Sequence, residues 1–115
     1  MKRGEVYMAT LEPRSGSEQR GTRPVLLVSN DQFNAAESWR SLIVVPLSTS
    51  TKNLRRGPTC VAVPAGTAGL RQDSFVICHQ VTTLDRAKFG RRLGALPAEA
   101  LEEVDDGLQV ALGIN

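Results

Sequence analysis

The sequence predicts a mainly β protein with helices, in the form of a compact, strongly bent sheet or small barrel that a C-terminal α-helix closes. Two observations support this fold class. Five or six short apolar segments alternate with long loops rich in turn residues, and the end of the chain carries apolar residues at helical spacing. Because the chain has only 115 residues, we expect one domain, 1–115, with little room for a second core.

The first half of the chain predicts three strands and one short helix. Val6–Leu11 has the composition of a half-buried strand, and a polar loop over residues 12–22 follows it. Pro24–Val28 and Leu42–Leu47 are continuous apolar runs between turn residues, which is typical of buried strands. Between these two strands, residues 30–37 are expected to hold one short helix with Asn30 as its cap.

The second half predicts three further strands. A flexible basic loop, Thr49–Pro58, leads into strands over Cys60–Val63 and Phe75–Cys78. The turn between these strands, Pro64–Gly69, is rich in glycine. A short strand around Arg92–Gly94 is expected to precede the last element.

The last element is predicted to be an amphipathic helix. Pro97 suits the first helical position, acidic residues fill the first turns, and Gly113 is a stop signal. Gly107 inside the helix weakens it by about 1 kcal/mol relative to alanine. One apolar stripe recurs at spacings of three and four: Leu101, Val104, Leu108 and Leu112.

Composition excludes several classes of protein. No apolar run approaches about 18 residues, so no membrane span is expected, and no long apolar segment follows the N-terminus as in a signal peptide. Cys60 and Cys78 lie inside apolar, β-like segments, and secreted disulfide frameworks contain far more cysteine. We therefore expect buried, reduced thiols in a cytoplasmic protein.

Charge is unevenly distributed along the chain. All 14 Lys and Arg residues lie between Lys2 and Arg92, so the first 96 residues carry fourteen positive and seven negative charges, or +7. The last 19 residues carry five acids and a charge of −5. A basic body with an acidic helix suits a polyanion site on one face and a solvated helix elsewhere. Alternatively the acids simply favour the helix N-terminus, and both interpretations can hold together.

Several motifs of metal and cofactor enzymes are absent. The chain has a single histidine, no C-x-x-C pair, no P-loop and no Rossmann glycine pattern. The segment Gly66–Gly69 lacks the Lys-Ser/Thr that a phosphate loop needs, and no two carboxylates stand at a spacing typical of metal ligands. We therefore predict no metal and no cofactor.

Arg23 is the first candidate for chemistry. It stands at the entrance to a buried strand, and a residue before proline is held extended, so its backbone is set in advance. A guanidinium there could hold a phosphate with two donors and stabilise the extra charge of a five-coordinate phosphorus. The alternative is a structural salt bridge with a carboxylate.

Three consecutive hydroxyl residues, Ser48, Thr49 and Ser50, follow the strand that ends at Leu47. Hydroxyls at a strand end could bond phosphate oxygens or the ribose. The alternative is that they only form the turn.

His79, followed by Gln80, extends the strand Phe75–Cys78 and is the one side chain with an ordinary pKa near neutrality, about 6.5. A lone histidine that is merely hydrogen-bonded is the alternative.

Trp39 could stack a base or cover the end of the barrel. A nucleic-acid track or a solvated basic loop would equally explain four cations: Lys52, Arg55, Arg56 and Arg71.

Eight segments occur in an order that extends over nearly the whole chain: Arg3–Tyr7, Leu11–Pro13, Gly16–Gln19, Arg23–Asp31, Val44–Ser50, Gly69–Ser74, Gln80–Asp85 and Glu102–Leu108. This order resembles the MazF/PemK family of toxins from bacterial toxin–antitoxin systems. The stretch from Gly16 to Asp31 is the most specific part of the resemblance.

The resemblance implies a small SH3-like (CcdB/PemK-like) barrel with a C-terminal α-helix, acting as a homodimer. It also implies sequence-specific cleavage of single-stranded RNA by ribose 2′-hydroxyl attack, which leaves a 2′,3′-cyclic phosphate and a 5′-hydroxyl. The implied partner is a cognate antitoxin, whose acidic, disordered tail would compete with RNA for the basic groove.

The family's catalytic arginine corresponds to Arg23, its catalytic Thr or Ser to Ser48, and its loop acid to Glu18; Thr49 replaces Ser48 if the register slips by one. Several relatives carry Asp or Glu where this chain has His79, so this imidazole either takes over the base role or only contacts a base. We expect the substrate to be bound by residues around these groups: Glu18, Gln19, Arg20, Thr49, Ser50, Lys52, Arg55, Arg56 and Gln80.

Such a reaction fits the residues available, because an internal nucleophile needs a proton acceptor, a proton donor and a cation but no metal, and DNA lacks the 2′-hydroxyl. Two other functions compete with it. One is a gyrase-poisoning toxin, a task that the same barrel serves in a related family, and the other is a non-catalytic SH3-like binding module.

Overall fold

The computed structural model describes residues 1–12, 21–55 and 57–114, apart from the side chains of residues 54 and 55. Within those ranges the chain forms seven strands: β1 (Glu5–Leu11), β2 (Gly21–Leu27), β3 (Ser41–Ser48), β4 (Cys60–Val63), β5 (Ser74–Ile77), β6 (Thr82–Asp85) and β7 (Phe89–Ala95). The helices are α1 (Asp31–Asn34) and α2 (Ala98–Leu112), and 3-10 turns occupy Thr51–Arg55, Gly57–Thr59 and Arg86–Lys88.

Strand β3 is shared between two parts of a bent sheet. The order is β4-β5-β3-β2-β1-β7, with β6 beside the first half of β3, and every described pairing is antiparallel. The first half of β3 pairs with β6, whereas Leu47 and Ser48 pair with β5. The predicted fold class, a strongly bent β-sheet with a C-terminal helix, is confirmed.

The loop between β4 and β5 closes the bent sheet by packing on β7 at its far edge. A Cβ atom on Gly69 would lie 2.1 Å from the carbonyl oxygen of Leu93, and one on Gly94 would lie 2.6 Å from the carbonyl carbon of Ala68. Only glycine allows backbones to approach this closely. The closure that gives the sheet its barrel shape therefore depends on two glycines: Gly69 packs on Leu93, the residue before Gly94, and Gly94 packs on Ala68, the residue before Gly69.

The strands bury apolar side chains on both faces of the sheet, in keeping with their alternation. The larger cluster, against which α2 packs, contains Val6, Leu26, Val28, Val45, Leu47, Val61, Val63, Leu70, Val76, Cys78, Leu96 and Val104. The smaller cluster on the opposite face contains Tyr7, Ala9, Leu11, Val25, Leu27, Leu42 and Val44.

Helix α2 follows the predicted pattern except at its two ends, and Pro97 is the N-cap residue instead of the first helical residue, because its backbone is extended and the helix begins at Ala98. Val104 is fully buried and Gly113 ends the helix with a φ of 70°, as expected of a C-terminal glycine. Leu112 is 57% exposed, so the predicted apolar stripe is not buried over its full length. Gly107 lies against Cys78, whose Sγ would be 2.8 Å from an added Cβ, so the glycine permits close packing of the helix.

Several elements differ from the sequence-based expectation. β2 begins at Gly21 rather than Pro24, because its polar first residues pair with the end of β1, Leu11 opposite Gly21. β6 was not predicted, since its four residues carry no apolar run, and β7 is longer than Arg92–Gly94. Helix α1 is capped by Asn30 as predicted but has only four residues.

Arg86 anchors the segment that joins α1 to β3. Its guanidinium donates hydrogen bonds to four backbone carbonyls, those of Phe33, Asn34, Ala36 and Trp39. The rings of Phe33 and Trp39 stack with centroids 4.5 Å apart, and the Trp39 side chain stays 47% exposed. The aromatic pair therefore forms a fixed surface feature and not a fully buried lid over the sheet.

Both cysteines are free thiols. Cys78 is buried as predicted, and its burial raises its pKa to about 11. Cys60 is only half-buried, because it lies on the edge strand β4. Among the described helices, none combines the length and the apolar character needed to cross a membrane.

A polar network ties β1 to β7. The Tyr7 hydroxyl donates to the Glu5 carboxylate at 2.9 Å, and Arg92 pairs with the same carboxylate. Burial alone would raise the pKa of Glu5, but the hydrogen bonds from Arg92, from the Lys2 backbone and from Tyr7 outweigh it and hold that pKa below its ordinary value. For Tyr7, burial and the bond to Glu5 raise the pKa to about 12.

Replacing Gly69 with alanine is expected to destabilise the fold more than replacing Gly66 with alanine. Both residues have positive φ, 74° and 88°, so both substitutions carry the left-handed strain of about 1–2 kcal/mol. Only Gly69 touches β7, which adds about 1–3 kcal/mol of overpacking. Denaturant unfolding of the two variants measures the difference, and equal losses of stability would contradict the closing contact.

Tyr7, the chain's one tyrosine, is expected to titrate near pH 12 in the folded protein and near 10 once unfolded. A raised folded-state pKa contributes stability that is present below pH 10 and is lost as the pH rises towards 12. The near-ultraviolet absorbance of the phenolate measures this directly. The Glu5→Gln variant should titrate at lower pH, because the negative charge beside the hydroxyl is gone; an unchanged midpoint would disprove the coupling.

Candidate active site

Strands β2 and β3 separate at one end of the sheet. Their pairing extends from Leu27 opposite Val44 to Val25 opposite Pro46 and stops there. Beyond this point β2 stays with β1, as Pro24 pairs with Met8, while β3 continues beside β5. Proline has no N–H to donate, so Pro24 loses no ladder hydrogen bond where the strands separate. An open gap results between the start of β2 and the end of β3.

Arg23 and Ser48 stand on the two sides of this gap. If the β2–β3 register is continued by two residues beyond Val25 and Pro46, Arg23 falls opposite Ser48. Alternation along each strand places both side chains on the face that carries Val25 and Val44. Arg23 is exposed and Ser48 partly so, and Arg23 lies inside β2, not in the loop before it. The structure thus brings these two predicted residues to matching positions.

The hydroxyl of Ser48 also forms the turn that ends β3. Its Oγ accepts a hydrogen bond of 3.1 Å from the Ser50 backbone N–H, and the Ser50 hydroxyl accepts one from the Lys52 N–H. The turn-forming alternative is therefore realised. It does not exclude a second role, because a hydroxyl that accepts one bond keeps its own hydrogen to donate.

Asn53, which was not predicted from the sequence, stabilises this turn by a hydrogen bond from a buried position. Its side chain is buried, and its amide donates to the Ser50 carbonyl oxygen at 3.0 Å. The Cys60 thiol at the start of β4 approaches the Asn53 Oδ1 at 4.0 Å. Nothing in the basic loop distinguishes this asparagine by pattern, because its importance depends on a strand that lies seven residues further along the chain.

His79 and Gln80 lie in the turn after β5. The backbone N–H of Gln80 donates to the Ile77 carbonyl, and His79 is exposed with its Nδ1 2.9 Å from the Thr59 Oγ1. Because β5 pairs with the end of β3 and Thr82 pairs with Val44, the turn runs beside the middle of β3. The strand register therefore places His79 further from Ser48 than Arg23 is.

The remaining predicted substrate-binding residues divide into two groups. Thr49, Ser50 and Lys52 are exposed at the end of β3, next to the gap. The other group lies outside the described residues: Glu18, Gln19, Arg20, Arg56 and the side chain of Arg55. Arg71 is exposed in the loop between β4 and β5.

The acidic residues of α2 lie away from the gap. The helix packs on the larger apolar cluster, whereas Arg23 and Ser48 share the opposite face of the sheet. Asp105 pairs with Arg3 at 2.6 Å, and the other four acids of the helix are solvent-exposed. Across residues 1–12, 21–55 and 57–114, no three His, Cys, Asp or Glu side chains cluster as metal ligands would.

A family model matches residues 2–112, almost the whole chain, and its description is "PemK-like, MazF-like toxin of type II toxin-antitoxin system". Fold and family model together place the protein in the class of toxins from type II toxin–antitoxin systems. More particularly, the chain belongs to the PemK-like, MazF-like toxin family, as its segment order predicted.

Solved structures agree with this assignment. MazF from Deinococcus radiodurans is 25% identical with a TM-score of 0.80, covering 99% of this chain and 97% of that one. An endoribonuclease from a mycobacterial species, solved in complex with its cognate antitoxin, is 28% identical with a TM-score of 0.78, covering 98% and 95%. The Mycobacterium tuberculosis toxin MazF-mt6, at 24% identity and a TM-score of 0.78 over 96% and 98%, shares the fold.

Proposed function

We propose that this chain is an endoribonuclease that cleaves single-stranded RNA at specific sequences, as the toxin of a toxin–antitoxin pair. Family membership and the solved endoribonucleases that resemble the chain support this proposal. The single observation that carries the site assignment is the end of the β2–β3 pairing at Val25 and Pro46, which leaves Arg23 and Ser48, two residues further along each strand, on the two sides of the gap.

The gap has a shape suited to a phosphodiester. Residues that face each other on paired strands stand about 5 Å apart, and strands that have separated leave more room than that. A phosphate between Arg23 and Ser48 would receive guanidinium N–H bonds from one side and a hydroxyl bond from the other. The strand backbones fix the positions of both donors, and donors that are already in place stabilise the negative charge that develops on the phosphate oxygens during the reaction.

The chemistry proposed is an internal displacement at phosphorus. A base takes the proton of the ribose 2′-hydroxyl, the 2′-oxygen forms its bond to phosphorus, and the bond to the 5′-oxygen breaks as that oxygen gains a proton. The products are a 2′,3′-cyclic phosphate and a 5′-hydroxyl. In this scheme Arg23 stabilises the five-coordinate phosphorus or donates the proton to the leaving 5′-oxygen, Ser48 donates to a phosphate oxygen, and His79 is the proton acceptor. No metal takes part.

Charge placement supports RNA as the substrate. The exposed cation Lys52 lies next to the gap, and the exposed acids of α2 lie on the other face of the sheet, where they do not repel a phosphate chain bound at Arg23. We further propose a homodimer and a cognate antitoxin with an acidic, disordered tail that competes with RNA for this face. Complexes with antitoxin among the similar solved structures support that partner.

The deciding experiment incubates the purified protein with long single-stranded RNA in EDTA and maps the 5′ ends. Defined cuts that leave 5′-hydroxyl ends, with DNA of the same sequence intact, are expected, because only RNA carries the 2′-hydroxyl. Inhibition of DNA supercoiling without RNA cuts would instead support a gyrase poison. Binding without either activity would support a non-catalytic module.

The Arg23→Ala substitution is expected to lower kcat about 10²–10³-fold, the usual loss when one donor to a developing charge is removed. Ser48→Ala should cost less, about tenfold to a hundredfold, since one hydrogen bond to a charged group is lost. Arg40→Ala is the matched control: this exposed arginine pairs with Asp85 at the other end of β3 and should leave cleavage unchanged. Undiminished cutting by Arg23→Ala would eliminate the site.

Replacing Lys52 with glutamine is expected to weaken RNA binding about equally for all sequences and to reduce the salt-dependence slope by about 0.7, the value for one contact with a single strand. Arg40→Gln is its control, because Arg40 pairs with Asp85 at 2.9 Å at the other end of β3. Fluorescence anisotropy in an Arg23→Ala background, which slows cleavage of the RNA probe, measures both slopes. An identical slope for the two variants would remove Lys52 from the RNA track.

A further inference from the structure

Thr59 forms a side-chain hydrogen bond with His79, the proposed proton acceptor. The Thr59 Oγ1 lies 2.9 Å from the His79 Nδ1, although the two residues are 20 positions apart in the chain. The Cys78 N–H donates to the Thr59 carbonyl oxygen at 2.7 Å, which extends by one residue the β4–β5 register that sets Cys60 opposite Ile77. Strand pairing therefore holds the hydroxyl beside the imidazole.

The direction of this hydrogen bond decides what the imidazole can do. If Nδ1–H donates to the Thr59 oxygen, the neutral ring carries its lone pair on Nε2, where it can take a proton. If the Thr59 hydroxyl donates to Nδ1, the neutral ring carries its proton on Nε2, and that nitrogen can only donate. A proton acceptor for the 2′-hydroxyl requires the first arrangement.

We propose that Thr59 is a positioning residue that fixes His79 in the Nδ1–H tautomer, with Nε2 directed to the 2′-hydroxyl proton of the RNA. The inference rests on the proposed ribonuclease function and specifies how its proton acceptor is held. The Thr59 oxygen accepts the Nδ1–H bond both in the neutral ring and in the imidazolium that forms after proton transfer, so no reorganisation accompanies the step. Holding the tautomer and ring angle of a histidine through its other nitrogen is a general device of protein sites.

The surroundings of the pair explain why a threonine serves here. Thr59 ends the 3-10 turn Gly57–Thr59, directly before β4, and is partly buried, whereas His79 is exposed. The inner partner is thus held by the fold and the outer partner faces solvent, where RNA would arrive. Pro58, next to Thr59, approaches α2 at Gly107, so the turn has a rigid support.

The test compares Thr59→Val, which keeps the shape but removes the hydroxyl, with Thr59→Ser, which keeps the hydroxyl. Thr59→Val is expected to lower kcat about tenfold to a hundredfold, the usual loss when the residue that orients a functional histidine is removed, while KM stays nearly constant. Thr59→Ser should retain most of the activity. Thr83→Val, an exposed β6 threonine opposite Ile43, is the matched control and should cleave as the unmodified chain does.

Two further readouts separate positioning from mere stability. Because the chain has one histidine, nitrogen NMR of the labelled imidazole reports His79 alone; Nδ1 should carry the proton of the neutral ring and lose this preference in Thr59→Val. In a His79→Gln background, Thr59→Val should cost nothing more in kcat, since the two residues act as one unit.

The outcomes are distinguishable from a failure of the proposed function. If the unmodified chain cuts RNA and Thr59→Val cuts equally fast, or if the neutral ring carries its proton on Nε2, this inference is overturned while the ribonuclease stands. If the unmodified chain leaves RNA intact, the proposed function fails and the inference with it. A folding defect in Thr59→Val would appear as a lowered Tm, and activity of Thr59→Ser together with the tautomer measurement then decides the question.

Discussion

The bend of β3 is the constraint on which the rest of the structure depends. The strand pairs with β2 and β6 over its first part and with β5 at its end, so the sheet must turn where those partners change. Contacts of Gly69 with Leu93 and of Gly94 with Ala68 hold the turned sheet closed. Once the sheet is bent in this way, β2 and β3 cannot remain paired to their ends, and Pro24 stands where they separate. The gap between Arg23 and Ser48 is thus a consequence of closure.

The same bend separates the charges of the molecule. The acidic helix α2 needs the larger apolar face of the sheet to bury Val104, and its register there is fixed by the close approach of Gly107 to Cys78 and by the ion pair of Asp105 with Arg3. The exposed acids of this helix then have only the solvent side available. Arg23 and Lys52 are left on or beside the other face, so a polyanion that approaches the gap meets cations first.

Local patterns predicted the elements that local chemistry determines. The cap at Asn30, the stop at Gly113 and strand β4 agree with expectation, because a capping side chain, a left-handed residue and an apolar run act within a few residues. The start of β2, all of β6 and the exposure of Leu112 were not predicted, because each depends on what lies beside the element in space. Arg23 and Ser48 were selected by position and resemblance, and strand alternation adds that Arg23 shares the face of Val25 and Ser48 the face of Val44.

Asn53 and Thr59 show most clearly why part of the site could not be predicted from sequence. Each contacts a partner that the fold brings near: Asn53 reaches Cys60 from the 3-10 turn Thr51–Arg55, and Thr59 reaches His79 because β4 and β5 form a hairpin. That hairpin has two functional ends. Its loop, at Gly69, closes the sheet against β7, and its open end, four residues away along β4, holds Thr59 beside His79. A strand pair that closes the fold at one end therefore sets the geometry of the proposed base at the other, and changes at the loop should reach the imidazole only by altering the β4–β5 register.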